Sequence, residues 1–122
     1  MRRNIIFYGN YFLKDFYNQQ SKDVQEKVDF ILDLISNVEK VPSKFLKYLE
    51  DTNCLYEIRV KVKNNIFRIF CFFDGGNLIV LINGFQKKTE KTPKNELNLA
   101  EKLKNNYFKD KEVSKNGKYK NV

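Results

Sequence analysis

The sequence predicts one α+β domain in which an N-terminal helical hairpin and a C-terminal helix pack on a mostly antiparallel sheet. Apolar residues recur at helical spacing between residues 21 and 37, and the spacing changes to every second residue from position 55. A further helix start follows at Thr92-Pro93, because threonine caps a helix and proline suits its first position. A length of 122 residues suits one domain, and an apolar fraction of 42% is enough to fill its core.

The first half of the chain is predicted to hold a short strand over residues 4–8 and then the helical hairpin. Asn10 can cap the first helix and Ser21 the second. The apolar side of the first helix comprises Phe12, Leu13, Phe16 and Tyr17. The apolar side of the second comprises Val24, Val28, Ile31 and Ile35, widened by Phe30, Leu32 and Leu34. After Pro42, one more short helical turn is expected over residues 45–49.

The second half is predicted to form a three-stranded meander over residues 55–62, 66–73 and 78–85. Asn64-Asn65 and the segment 74–77 are the turn candidates, because asparagine and glycine tolerate positive φ. This register predicts one core face under the hairpin, comprising Tyr56, Ile58, Val60, Val62, Phe67, Ile69, Cys71, Phe73, Leu78, Val80 and Ile82. On the opposite face, the C-terminal helix is expected to cover Phe70, Phe72, Ile79 and Leu81.

The remainder of that opposite face is predicted to carry a cationic patch. Its members are Arg59, Lys61, Arg68, Asn83, Phe85 and Lys87, with Glu57 as the one acidic group. The net charge of +8 also lies in this half, because residues 54–122 hold 15 basic and seven acidic side chains. Such a surface is either solvated without a partner or a binding face for a polyanion, of which nucleic acid is the commonest.

Several classes of function are excluded by composition. The absence of histidine removes imidazole acid–base catalysis and most zinc sites. Cys54 and Cys71 alone are too few for a cysteine-rich metal site, and we expect both to remain reduced in the cytoplasm. We expect no metal, no cofactor and no membrane segment, because no apolar run approaches about 20 residues. The apolar stretch near the N-terminus is too short for a signal peptide.

The segments that carry a family resemblance are Leu55-Tyr56-Glu57-Ile58-Arg59-Val60, Phe67-Arg68-Ile69-Phe70 and Leu81-Ile82-Asn83-Gly84-Phe85-Gln86-Lys87-Lys88-Thr89, followed by Thr92-Pro93 and Ala100. In this order they resemble the phage-derived, HigB-type branch of the RelE/ParE toxin superfamily. The resemblance runs from about Ile5 to Tyr107. It implies one toxin domain over residues 1–108, and the lysine-rich segment 109–122 is expected to be a flexible tail.

The resemblance implies a RelE-like, microbial-RNase-type fold with helices on one face of the sheet. It implies ribosome-dependent cleavage of messenger RNA, as in a type II toxin–antitoxin system. The implied partners are the ribosome with its messenger RNA and a helix-turn-helix antitoxin. The toxin is expected to contact operator DNA only through this antitoxin. Two alternatives remain open, since one fold serves several functions: a ParE-like gyrase inhibitor and a basic nucleic-acid-binding module without catalysis.

The expected site residues follow from the chemistry of 2′-hydroxyl attack on a phosphate. Arg59 and Arg68 match the strand arginines of the family, and a planar guanidinium can hold two phosphoryl oxygens. Lys87 is the candidate acid toward the leaving oxygen, and Glu57 is either a base or a partner that orients the arginines. The expected RNA-binding residues are Lys61, Asn83, Phe85, Lys88 and Lys91, with Phe85 either stacking a base or packing under the C-terminal helix.

The predicted strand pairing gives Arg68 little reason to be an arginine on grounds of stability alone. It places Lys61 and Asn83 beside Arg68, with Glu57 as the only near acid on that face, and a lone charge on a half-buried sheet is disfavoured. An anionic ligand would compensate that charge. We therefore expect an Arg68→Ala variant to remain folded, as stable as the parent or slightly more so, and to lose activity.

Overall fold

Five strands and two α-helices make up the fold in a computed structural model that describes residues 2–120. In chain order they are β1 (Asn4–Phe7), α1 (Lys22–Asn37), β2 (Leu46–Tyr48), β3 (Tyr56–Val62), β4 (Asn65–Asp74), β5 (Leu78–Lys87) and α2 (Lys94–Lys120). The strands form one sheet in the order β1-β5-β4-β3-β2, in which only β1 and β5 run parallel. The predicted α+β class with a mostly antiparallel sheet is confirmed.

Both faces of the sheet are covered, because the central strands carry apolar side chains on both sides. In β4, Ile69 and Cys71 belong to a cluster under α1, whereas Phe70 and Phe72 belong to a cluster under α2. The implication that helices lie on one face is therefore wrong, since α1 and α2 pack on opposite faces.

Cys71 is buried as expected, and burial raises the pKa of its thiol.

Helix α1 has the cap and the buried face that its spacing predicts. The Ser21 hydroxyl accepts a hydrogen bond from the backbone N–H of Val24 at 3.4 Å. The residues of α1 that are buried against the sheet are Val24, Val28, Ile31 and Ile35. Phe30 does not widen this face, because its side chain lies outside the helix–sheet contact and is 56% exposed.

The first arm of the predicted hairpin is not an α-helix. Residues 9–16 form turns that lead into a short 3₁₀ helix over Tyr17–Gln19. Hydrogen bonds here span five residues, as from the Tyr17 N–H to the Phe12 carbonyl at 2.7 Å. Phe12 and Phe16 are nevertheless buried in the cluster under α1, as their apolar spacing indicated. Packing of these rings has overridden the local helical pattern, as tertiary contacts commonly do.

The segment expected to form a helical turn at 45–49 is instead strand β2. Leu46 lies opposite Ile58 and Tyr48 lies opposite Tyr56 in an antiparallel pair. The pairing satisfies backbone groups that would otherwise be left at an open edge of β3. It also places Leu46 against the cluster under α1. Pairing with the next strand leaves no mark on the apolar spacing of a three-residue strand, which explains the error.

The turn between β3 and β4 lies one residue earlier than predicted. Val62 pairs with Asn65, so that Lys63-Asn64 forms the turn, and Lys63 adopts a positive φ of 55°. Each β3 residue therefore faces a β4 residue two positions earlier than expected. A shift of two residues keeps every side chain on its predicted face, because side chains alternate with a period of two. It changes which side chains are opposite one another, and that change decides the geometry of the site.

A β-bulge in β5 reverses the predicted facing of part of that strand. Ile69 pairs with Gly84 and Cys71 with Leu81, so two β5 residues lie opposite Phe70 alone. The inserted residue shifts the alternation. As a result Ile79 and Leu81 face α1, while Val80 and Ile82 face α2, the reverse of the prediction. A run of consecutive apolar residues contains no signal that locates a bulge.

Gly84 is placed where a side chain does not fit. A Cβ atom there would lie 2.7 Å from Cγ of Phe16, whose ring is 2% exposed in the core. We expect Gly84→Ala to destabilise the protein by about 1–3 kcal/mol, the usual cost of overpacking a core. Urea unfolding measures this change, and Gly76→Ala is the control because nothing lies within 4 Å of a Cβ at that turn position. Equal stability of the two variants would contradict the close packing of Phe16 on Gly84.

Helix α2 begins after Thr92-Pro93 as predicted and runs without a break past the expected domain boundary at residue 108. Asp110 accepts a hydrogen bond from Tyr8, and the Lys111 ammonium lies 2.8 Å from Asp74. Residues 109–111 are therefore part of the folded unit, and the helix continues to Lys120. Flexibility of the segment 112–120 stays a prediction, and residues 121 and 122 lie outside the described chain. Within residues 2–120, neither α-helix combines the length and apolar character of a membrane span.

Candidate functional site

A cationic cleft of about 480 Å³ opens at the free edge of β3. Strand β2 pairs with the first three residues of β3, and the Arg59 N–H donates to the Phe45 carbonyl at 2.8 Å, so the free part of that edge begins after Arg59. The lining contains six cationic and four apolar side chains and no acidic one. These residues are Lys27, Lys44, Arg59, Lys61, Lys63 and Arg68, with Ile31, Phe45, Val60 and Ile66. We refer to these ten residues as the cationic cleft.

Two arginines line the cationic cleft, and one buried carboxylate outside the lining pairs with both of them. Arg59 on β3 and Arg68 on β4 lie directly opposite each other, an arrangement that is unfavourable for like charges. Glu57 compensates it, because its Oε2 lies 3.3 Å from Nε of Arg59 and 3.4 Å from Nε of Arg68. The side chains of Arg68 and Glu57 are 8% and 7% exposed, whereas that of Arg59 is 32% exposed. Arg59 is thus the arginine that a ligand can reach.

Glu57, the only near acid expected on that sheet face, compensates the charge of Arg68. Burial lowers the pKa of its guanidinium, Glu57 opposes this effect by raising it, and Arg59 lowers it further. An arginine remains charged in proteins because its pKa starts far above neutrality. Arg68 is therefore one partner of a buried ion pair, and stability alone gives a reason for it. We no longer expect Arg68→Ala to be as stable as the parent protein.

The rim of the cationic cleft comes from parts of the chain that the strand pattern did not connect. Lys27 projects from α1, Lys44 precedes β2, and Lys63 lies in the turn after β3. The Lys44 ammonium lies 4.9 Å from the ring centre of Phe45, which also lines the cleft. Of the four lysines that line the cleft, only Lys61 was predicted as a site residue. Sequence reasoning missed the other three because no local pattern links α1, the loop before β2 and the strand turn.

Two predicted RNA-binding residues are buried under α2 and do not line the cleft. Asn83 is 3% exposed, and its Nδ2 donates to the Glu96 carbonyl at 2.9 Å and to the Glu96 carboxylate at 3.1 Å. The Phe85 ring is 8% exposed and packs against Phe70, with ring centres 5.4 Å apart. The alternative in which Phe85 packs under the helix is therefore the one found. Neither side chain is available to RNA in this structure.

The remaining predicted cations lie beyond the cationic cleft. Lys87 is half-buried at the end of β5, on the same sheet face as Arg68 and directly opposite Ile66. It is one strand away from the cleft that Ile66 lines. Lys88 and Lys91 are exposed in the loop that leads to α2. The structure thus brings together Arg59, Lys61 and Arg68 and leaves the three later lysines outside.

The arrangement suits binding of an anion with several oxygens. Arg59 offers a planar fork of N–H donors, and the lysines around it offer charge without a fixed direction. The apolar Phe45 and Ile66 lower the local dielectric, which strengthens attraction to a phosphate. Glu57 is buried, pairs with both arginines and does not line the cleft. Of the two roles predicted for Glu57, its geometry supports the orienting one.

Comparison with known protein families gives a match over most of the chain. The family described as "Phage derived protein Gp49-like (DUF891)" matches residues 15–105. That range contains α1, four of the five strands and every residue of the cationic cleft. A search of curated proteins found no match.

Proposed function

Because this chain belongs to the Gp49-like family of phage-derived proteins, within the RelE/toxin-like superfamily, we propose that it is the HigB-type toxin of a type II toxin–antitoxin pair and cleaves messenger RNA on the ribosome. The observation that carries the proposal is the cationic cleft. It contains six cations, and one of them is an accessible arginine that pairs with a buried carboxylate. A phosphodiester backbone supplies the anionic oxygens that such a cleft binds.

In the proposed reaction an RNA 2′-hydroxyl attacks the adjacent phosphorus. The bond from phosphorus to the 5′-oxygen breaks, leaving a cyclic 2′,3′-phosphate and a 5′-hydroxyl. Arg59 binds the phosphoryl oxygens as their charge grows, and Arg68 adds positive potential from the lining of the cleft. Lys61 replaces Lys87 as the candidate acid toward the leaving oxygen, because Lys61 lines the cleft. The proton of the 2′-hydroxyl passes to a ribosomal group, because the protonated lysines of the cleft are donors only.

The proposed partners follow from family membership. A helix-turn-helix antitoxin would neutralise the toxin in the cytoplasm and would provide its contact with operator DNA. The ribosome would present the messenger RNA. The excess of positive charge in residues 54–122 supports an encounter with ribosomal RNA, because opposite charge accelerates association.

Purified ribosomes programmed with a defined messenger RNA provide the direct test. We expect cleavage only when ribosomes are present, and products that end in a cyclic phosphate.

The rival ParE-like or purely binding function is favoured by one observation, the absence of any carboxylate among the residues lining the cleft. Inhibition of gyrase supercoiling without RNA cleavage would establish the gyrase inhibitor. Binding of RNA without RNA cleavage or gyrase inhibition would support the alternative of a nucleic-acid-binding module without catalysis.

The salt dependence of RNA binding tests whether the cleft holds phosphates. We expect the slope of log affinity against log salt to decrease by about 0.7 for Lys61→Gln and again for Lys63→Gln, since each lysine releases counterions from a single strand. Fluorescence anisotropy with a single-stranded oligonucleotide over a salt series measures these slopes. Lys88→Gln is the matched control because Lys88 is exposed outside the cleft. A decrease for Lys88→Gln alone would favour the assignment made from sequence.

A further inference from the structure

Phe30 on α1 is an exposed aromatic residue with no evident structural role. Its side chain is 56% exposed, and among the described residues its ring has no aromatic neighbour. The other exposed aromatic side chains that the structure describes each pack on a second ring. Their pairs are Phe7 with Phe12, Tyr48 with Tyr56, and Phe108 with Phe72. A single exposed apolar side chain is common on protein surfaces, so a role for Phe30 has to be argued from its surroundings.

A second cleft of about 580 Å³ places this ring beside the cationic cleft. Lys27, Lys61 and Lys63 line both clefts, so the two form one continuous surface. The second cleft also contains Val62, Asp23 and Glu26. We refer to the second cleft as the Phe30 cleft.

The Phe30 cleft contains both acidic and cationic side chains. Asp23, Glu26 and Phe30 lie three or four residues apart on one stripe of α1. The cations are Lys27 beside Phe30, Lys61 on β3 and Lys63 in the turn after β3. A phosphate is repelled from the carboxylates and attracted to the lysines, so the Phe30 ring itself suits an uncharged group with a flat apolar face. A nucleobase has that character, and base stacking on aromatic side chains is the common mode of single-strand binding.

We propose that Phe30 forms a base-stacking subsite for a single-stranded nucleic acid whose backbone continues into the cationic cleft. Lys61 and Lys63 hold the intervening phosphates, and Arg59 holds the next one. The Lys27 ammonium lies 5.7 Å from the centre of the Phe30 ring, so a stacked nucleotide also meets a cation. Phe30 supplies the aromatic contact that buried Phe85 does not. That the strand is RNA rests on the proposed function.

The test uses the full-length chain and a single-stranded RNA with 2-aminopurine at each position in turn. Stacking on a ring quenches 2-aminopurine fluorescence, and we expect quenching at one position. Phe30→Leu keeps an apolar side chain and removes the ring. In this variant the fluorescence quenching should disappear and the affinity for the RNA should fall about 10-fold. Phe30→Tyr should retain the quenching and the affinity of the parent. The salt slope should not change in Phe30→Leu, because phenylalanine releases no counterion.

Phe7→Leu is the matched control, because Phe7 is 44% exposed on β1 at the opposite edge of the sheet. Equal affinity and equal quenching in Phe30→Leu and the parent would overturn the proposal, as would failure of the parent to bind single-stranded RNA. Loss of antitoxin binding in Phe30→Leu with RNA binding intact would show a protein-docking residue instead. Quenching that depends on Phe30 without ribosome-dependent cleavage would refute the nuclease and leave the subsite standing.

Discussion

Arg59→Met is expected to reduce cleavage of ribosome-bound messenger RNA by about 10²–10³-fold, the usual loss when a group that stabilises developing charge is removed. The side chain of Arg59 is 32% exposed at the cationic cleft, so methionine there leaves no cavity and the fold should persist. Glu57 retains Arg68 as a partner at 3.4 Å. Single-turnover cleavage and urea unfolding on the same preparation measure the two effects separately.

Two further variants show whether the loss comes from the geometry of Arg59 or from the removal of any one charge in the cleft. Arg59→Lys keeps the charge but loses the planar fork, so it should recover only part of the activity. Lys44→Met removes one charge from the rim of the same cleft and should reduce cleavage only a few-fold. Normal cleavage by Arg59→Met would show that the arginine is not a catalytic residue. Unfolding of the variant would show that its role is structural.

Glu57→Gln is expected to destabilise the protein by about 3–5 kcal/mol, the usual cost of removing one partner from a buried ion pair. The glutamine keeps the size of the side chain but leaves Arg68 buried and Arg59 opposite it with no compensating charge. Urea unfolding at constant denaturant slope measures the change. Glu26→Gln is the control, because its pair with Lys22 is largely exposed and contributes about 0.3–0.5 kcal/mol.

The double variant Glu57→Gln/Arg68→Met tests the physical reason for that loss. Methionine removes the buried charge that glutamine leaves unpaired, so the double variant should be more stable than Glu57→Gln alone. A double variant less stable than either single variant would mean that the two side chains do not interact as the geometry indicates. Antitoxin binding by all three variants would show that the folded surface is retained.

Much of the fold was predictable because its signals are local. The cap at Ser21 and the spacing of Val24, Val28 and Ile31 identify α1, and Thr92-Pro93 identifies the start of α2. Alternation in β3 and β4 assigned their two faces. The irregular first arm, the strand β2 and the bulge in β5 were not predictable, because each depends on contacts with other segments of the chain.

The sequence by itself determined that the arginines of β3 and β4 share one sheet face, and that the excess positive charge lies in the second half of the chain. Only the tertiary structure decided that Arg59 lies opposite Arg68, with Glu57 between them and Lys27 brought from α1. The physical reason is the period of the strand. A shift of two residues leaves the burial pattern unchanged, so hydrophobicity does not distinguish the registers, whereas the approach of Glu57 to Arg68 across the two strands depends on the register.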